Sequence, residues 1–207
     1  MPAHDLVWSG VGEWRAEHAV VETDGDGFVA HGVQLGVDPL PYRLEYALRV
    51  ADGWRTHLVA ATVTGAGWSR TLRLERAADG WSADTRTDGG VDLPDPGAGM
   101  DVLDTLRGAV DCDLGRSPLT NSMPVLREGL LGADARSRGP IAFRMAWISV
   151  PDLAVVVSDQ VYEHRSADAE GAVVRFRLAG EEEFVDLPFD RDGFVRDYPG
   201  LATRIRP

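Results

Sequence analysis

The sequence predicts an all-β fold with mainly antiparallel strands, and three observations lead there. Asp-Gly pairs recur at Asp24-Gly25, Asp26-Gly27, Asp52-Gly53, Asp79-Gly80, Asp88-Gly89 and Asp192-Gly193, and such pairs supply the positive φ that tight hairpin turns need. Between them, segments alternate apolar and polar residues with a period of two, the pattern of a strand with one buried face. Strand-like segments also follow one another every 8 to 12 residues or so, the spacing of a β-roll, barrel or sandwich.

Each element has its own reason. Residues 7–22 read as one strand bent at Gly10 and Gly12, and residues 28–37 as the next. From Tyr42 to Val50 the alternation is clean, with Tyr42, Leu44, Tyr46, Leu48 and Val50 on one face and Arg43, Glu45 and Arg49 on the other. Residues 55–64 continue the series. In residues 69–75, Leu72 and Leu74 point inward. The Pro- and Gly-rich stretch 91–99 reads as a linker between two halves of one sheet, so residues 1–207 are expected to form a single domain. Met100, Leu103 and Leu106 have helical spacing, with Gly99 and Gly108 limiting that helix to about two turns. A second short helix is expected over 122–128: Asn121 can cap it, Pro124 lies in its first turn and Gly129 stops it. Met123, Leu126 and Leu130 would share its apolar face. Strands follow at 143–150, 153–162, 174–178 and 183–187, with Val174, Phe176 and Leu178 inward. A closing hairpin with a Tyr198-Pro199 corner completes the chain, the Tyr198 ring sealing one end and its hydroxyl bonded to backbone.

Composition excludes several function classes. The chain of 207 residues is 44% hydrophobic and 26% charged, ordinary for a globular protein. With 33 acidic and 21 basic residues it carries a formal charge of −12, which disfavours nucleic acid and anionic membranes as partners. Every basic residue is arginine, so Schiff-base and P-loop lysine chemistry are absent. The lone Cys112 allows no internal disulfide and fits a reducing compartment. Met1 to Asp5 lack the basic and apolar segments of a signal peptide, and no run approaches the ~18 apolar residues of a membrane span. A cytoplasmic location without integral membrane association is expected.

Known catalytic motifs find no match. Gly25-Asp26-Gly27-Phe28-Val29-Ala30 has the letters of a dinucleotide loop but precedes a strand, so the helix N-terminus that would hold a pyrophosphate is missing. Asp24-Gly25-Asp26-Gly27 and Asp190 to Gly193 open like calcium loops without the closing bidentate glutamate. His4, His18, His31, His57 and His164 are scattered, and no cofactor or metal is expected. Gly67-Trp68-Ser69 only approaches a nucleophile elbow. Asp111 and Asp113 flank Cys112, and their charge disfavours a reactive thiolate.

The unusual stretch is Asp111 to Arg127. Small polar side chains, an aspartate and an arginine there surround the apolar helix, either to satisfy the helix ends or to rim an apolar pocket. Asp113, Ser117-Pro118, Thr120-Asn121, Pro124 and Arg127, followed by Asp192 to Leu201, resemble the two signature stretches of a glycolipid-binding family of bacterial proteins. Trp54 with Arg55-Thr56, and Gln160 with Tyr162, extend the resemblance over nearly the whole chain. Where the family often carries two arginines, this chain has Leu126 before Arg127.

The resemblance implies a spiral β-roll, one long antiparallel sheet wrapped around a single short central helix, similar in shape to bacterial lipoprotein carriers that hold acyl chains. It further implies a glycolipid or other amphiphile as partner, held in an apolar cavity of the roll by Asp113, Asn121, Arg127, Trp54 and Tyr162, without catalysis. In the empty protein Arg127 is expected to pair with Asp113, directly or through water. An enzyme acting on a glycosyl or acyl conjugate, with carboxylates such as Asp113 and Asp192 as acid and base, remains the alternative. A purely structural role for the polar stretch is the third reading. Oligomeric state is left open.

Overall fold

A computed structural model describes residues 2–97 and 99–205. Strands dominate, as expected, and they divide between two hydrogen-bonded sheets.

The first sheet grows by consecutive hairpins from β1 (Ala3–Gly10), β2 (Arg15–Asp24), β3 (Gly27–Gly36), β4 (Tyr42–Ala51), β5 (Arg55–Gly65), β6 (Trp68–Ala77) and β7 (Gly80–Gly89). The chain then leaves it through 91–97, forms helix α1 (Met100–Thr105) and enters β8 (Asp111–Leu114). A 3-10 turn at Pro118–Asn121 leads into helix α2 (Ser122–Arg127), and a second 3-10 turn covers Ala133–Arg138. Next come β9 (Ile141–Ile148), β10 (Val155–Asp168), β11 (Gly171–Leu178) and β12 (Val185–Asp190), then the short β13 (Asp197–Tyr198) and β14 (Ala202–Ile205). The first sheet has the order β13-β14-β1-β2-β3-β4-β5-β6-β7, the second β12-β11-β10-β9-β8. All pairings are antiparallel except β8 with β9, which is parallel.

Three expectations change in detail. Residues 7–22 are a hairpin rather than one bent strand, because four residues between Gly10 and Arg15 reverse the chain and pair Leu6 with Ala19. The stretch after β7 joins two separate sheets instead of two halves of one. It is tied down by Arg70, buried in β6, whose guanidinium donates to the carbonyls of Leu93, Pro94 and Asp152. Ala98 of that stretch, and the side chain of Met100 in the apolar spacing expected for α1, lie outside the described residues. Strands β7 and β8 are additional elements. The outward positions of β7 are nearly all polar and β8 has only four residues, so neither carries an alternation long enough to read.

The predicted inner face of β4 is buried throughout: Tyr42, Leu44, Tyr46, Leu48 and Val50 lie at or below 5% exposure. Two glycines of β3 make room for its tyrosines. Gly36 faces Tyr42 and Gly32 faces Tyr46 across the ladder, and a Cβ on Gly32 would come within 2.2 Å of the Tyr46 ring. Glycine inside a strand weakens it unless another group approaches closely, and here an aromatic ring takes up the space.

The second sheet packs one face against this core through Cys112, Leu114, Ala146, Ile148 and Val155. Its other face carries a second cluster with Met145, Tyr162, Val174, Leu187 and Phe189. Helix α2 bridges the two: Met123 belongs to the first cluster, Val125 and Leu130 to the second. The expected single apolar face over Met123, Leu126 and Leu130 is therefore split, because the helix is covered from both sides. Each fully buried aliphatic side chain of this kind contributes roughly 1.5 to 3 kcal/mol. Gly129, at φ +61°, stops the helix as expected. No helix among the described residues is long and apolar enough to cross a membrane.

Candidate functional site

The polar residues of the Asp111 to Arg127 stretch form two neighbouring networks, and strand geometry sorts them. In β8, Asp111 and Asp113 point to the same face, two residues apart, opposite Met145 and Trp147 of β9. In β10, Val156, Ser158, Gln160 and Tyr162 share that face by the same period of two, with Leu178 across from Gln160 and Phe176 across from Tyr162.

The first network is centred on Asp113. Its Oδ1 accepts a hydrogen bond from the Thr120 hydroxyl at 2.8 Å, and its Oδ2 accepts one from the Gln160 amide at 2.7 Å. Burial raises the carboxyl above the usual range, with these two hydrogen bonds opposing the shift. Behind Gln160, the buried Tyr162 hydroxyl lies 2.9 Å from Asn121 Oδ1 and 3.1 Å from Gln160 Oε1, and can donate its one proton to either. Asn121 spends its amide on the Pro118 carbonyl at 3.3 Å. It has a helical backbone and no capping bond, so the expected N-cap is replaced by a bridge from the helix start to Tyr162.

The second network corrects the expected ion pair. Arg127 binds Asp111, not Asp113: its Nη1 donates to Asp111 Oδ1 at 2.7 Å and to the Trp54 carbonyl at 3.3 Å. The side chains are 9% and 0% exposed. The cause is register, since Thr120 and Gln160 already occupy both oxygens of Asp113 and leave Asp111 as the carboxylate facing the last turn of α2. Burial raises the Asp111 carboxyl, and the hydrogen bond and charge of Arg127 only partly oppose it. Asp111 Oδ2 has no partner among the described residues. Trp54 adopts φ +60°, costly for a bulky residue. That conformation presents its carbonyl to Arg127, while its ring lies 6.4 Å from Phe28. Trp54 and Arg127 thus sit together, apart from the Asp113 network.

Beside Asp113 the face opens into a groove of about 390 Å³, lined among others by Trp147, Val156, Ser158, Gln160, Phe176 and Tyr198. Leu178, expected to point inward, is 47% exposed in this groove. Aromatic rings run along the sheet toward it: Phe143 to Tyr162 at 5.7 Å, Tyr162 to Phe176 at 5.2 Å and Phe176 to Tyr198 at 6.0 Å, all edge-to-face. The Arg127 guanidinium stands 5.3 Å from the Phe143 centroid at the far end of this row. Tyr198 is half-buried as a groove wall, and its hydroxyl makes no hydrogen bond to backbone among the described residues, contrary to expectation.

Of the five residues expected to bind a ligand, Asp113 lines the groove, Tyr162 and Asn121 support it from behind, and Arg127 and Trp54 lie outside it. Asp113 and Asp192 line different grooves, the latter beside His4 and Arg204. The space expected for an acyl chain between sheet and helix is filled by Leu119, Met123 and Val125, all fully buried. Cys112 is buried, which pushes its thiol up to about 12, and no cluster of three metal-ligating side chains is found among the described residues. Trp147, Ser158, Phe176 and Leu178 were missed as groove residues. The period-two alternation of β9, β10 and β11 was the available signal.

The fold and groove define an all-β protein with an open, aromatic-floored cleft whose polar edge is the half-buried Asp113 carboxyl with Ser158 and Gln160. Comparison with known proteins agrees with the fold. A sequence model of the family described as "Putative glycolipid-binding" matches residues 5–204, and the chain belongs to this family. It is similar to the crystal structure of a DUF1089 family protein from Pseudomonas aeruginosa, with a TM-score of 0.64 and 26% identity over 91% of this chain and 92% of that one. No curated protein matches the sequence.

Proposed function

We propose that this protein binds an amphiphile with a hydroxylated head group, such as a glycolipid, in the groove of the second sheet, and that the apolar part lies over Val156, Phe176 and Leu178. The observation that carries this reading is one carboxyl, Asp113, fixed by Thr120 and Gln160 and flanked by Ser158, at the edge of a groove lined mostly by apolar and aromatic side chains. Ligand sites commonly combine an apolar lining with a few fixed polar groups. A sugar offers hydroxyl donors to the carboxylate and a C–H face to an aromatic ring.

On this reading the chain works as one domain and recognises a small amphiphile without catalysis. Its buried single cysteine supports a reducing, cytoplasmic setting. The net charge of −12 argues against nucleic acid as a partner. Titration of the labelled protein with octyl glucoside, followed by backbone amide NMR, tests the reading. Shifts are expected at Asp113, Ser158, Gln160 and Leu178, with Leu178→Asp weakening binding about tenfold or more, as for loss of an apolar anchor. Shifts confined to the other surface grooves, or equal response to glucose alone, would refute it.

A further inference from the structure

Where β2, β3 and β4 meet the turn after β8, the first sheet buries an acid. Glu17 is 3% exposed. Its Oε1 accepts hydrogen bonds from the Tyr46 and Ser117 hydroxyls, both at 2.6 Å, while its Oε2 has no partner among the described residues. Directly across the β2–β3 ladder stands Gln34, also buried. Its amide donates to the Gly115 carbonyl at 3.4 Å, and its own Oε1 has no partner either. Residues opposed in an antiparallel ladder have Cβ atoms about 5 Å apart, so two unpartnered acceptor oxygens share one buried neighbourhood. Two acceptors cannot satisfy each other, and a hydrogen must come from somewhere. The cavity touching both residues is about 10 Å³, at the lower limit for a single water. A carboxylic acid supplies the hydrogen directly.

We propose that Glu17 is held as a neutral acid donating its proton to Gln34 Oε1, and that this proton fixes the turn between Asp113 and Thr120, making Glu17 a positioning residue for the groove. Its consequence for binding rests on the groove reading above; the protonation and the mechanical link do not.

The link is continuous. Glu17 holds Ser117, and Gln34 holds Gly115, the two residues flanking Arg116, which adopts φ +65°. Thr120, three residues on, accepts the Leu114 N–H at 3.3 Å and donates to Asp113. When Glu17 loses its proton, a carboxylate oxygen faces the Gln34 oxygen across the ladder. The amide relieves this by turning its NH₂ toward Glu17, which takes the donor away from Gly115 and frees one side of the turn.

The groups facing Glu17 do not neutralise it by ion pairing. Arg15 of β2 gives its guanidinium to the Leu201 carbonyl. Arg116 of the turn pairs with Asp38 at 3.0 Å and Glu13 at 3.8 Å. β4 presents Tyr42 and Tyr46, whose hydroxyls burial pushes up. β1 and β14 add only Trp8, Gly10 and Ala202 around the cavity. Burial accordingly pushes the Glu17 carboxyl up to about 7, against the hydrogen bonds from Ser117 and Tyr46, the charge of Arg15 and the neighbouring Gln34 side chain.

Carbon-13 NMR titration of the side-chain carboxyls in the full chain, over about pH 3 to 9, tests the proposal. The Glu17 carboxyl is expected to titrate near neutrality, and the Asp113 carboxyl and Thr120 amide signals to move with the same midpoint. In Glu17→Gln, which keeps a donor toward Gln34 but cannot ionise, that inflection should vanish. The wild-type titration decides the matter even if the variant does not fold. Octyl glucoside affinity should fall roughly fivefold or more across the same midpoint in the wild type and stay level in Glu17→Gln. Absence of octyl glucoside binding at every pH would refute the groove reading and leave the NMR result to judge this one. A Glu17 midpoint near the ordinary 4.5 overturns the neutral acid, and a neutral midpoint with Asp113 and Thr120 unmoved overturns the positioning role.

Discussion

Replacing Arg127 with leucine tests how the central stretch is held. Asp111 is fully buried, its Oδ1 bound to Arg127 at 2.7 Å and its Oδ2 without a partner. Arg127→Leu would leave that carboxylate with no compensating charge in contact, and breaking a buried pair from one side typically costs about 3 to 5 kcal/mol. The Trp54 carbonyl would lose its donor as well, adding strain at a residue already at positive φ. Urea unfolding at neutral pH should show this loss as a lower midpoint with an unchanged slope. The sign of the pH dependence is a second check. The folded Asp111 carboxyl lies above its ordinary value, so the folded state takes up its proton more readily than the unfolded chain. Removing Arg127 raises it further, and the deficit of the variant should shrink as pH falls through the folded value and the buried charge disappears. Asp111→Asn combined with Arg127→Leu should recover part of the loss, since no buried charge then remains. A deficit below about 1 kcal/mol, typical of an exposed pair, would show that the pair is solvated and the reasoning wrong.

Other perturbations separate wall from support. Glu17 has a raised folded value of about 7 against 4.5 ordinarily, so its contribution is fully present below 4.5 and is lost as pH rises through about 7. Wild-type stability should drop by about 3 kcal/mol over that window in urea titrations, and Glu17→Gln should lack this component. Tyr162→Phe should cost about 1 to 3 kcal/mol by urea unfolding, because it leaves Asn121 Oδ1 or Gln160 Oε1 unpartnered beneath the groove. Tyr198→Phe should change stability by less than about 0.5 kcal/mol, as its hydroxyl has no described backbone partner, whereas Tyr198→Ala should cost about 2 kcal/mol or more through lost packing on Phe176. Thermal or chemical unfolding of the two variants side by side checks the contrast.

What the sequence disclosed follows from what each signal measures. Alternation reports burial on one side of a strand, and it placed Tyr42 to Val50, Leu72 and Leu74 correctly because that face of the first sheet meets a closed core. The same signal misplaced Leu178. Its alternation is genuine and it shares a face with Val174 and Phe176, but the sheet runs past its cover at that end, and burial falls from Val174 to Leu178. An apolar residue that continues an inward face beyond the core reads the same in sequence as a buried one, and such positions form the floor of the groove.

The pairing of charges was less legible, for a different reason. Asp111 and Asp113 lie on one face of β8, and choosing which one meets Arg127 depends on Gln160, forty-seven residues beyond Asp113, and on the parallel register of β8 against β9. Neither has a local signature. Glu17 shows the converse. It occupies an inward position in the alternation of β2, between the buried Trp8 opposite and Ala19 beyond, so a charged residue at an apolar position was already visible. Reading 7–22 as one bent strand concealed it, because the hairpin at Gly10 to Arg15 sets which face of β2 turns inward. A charged side chain out of phase with its neighbours marks either a wrong register or a buried acid, and here the ladder with Gln34 makes it the second.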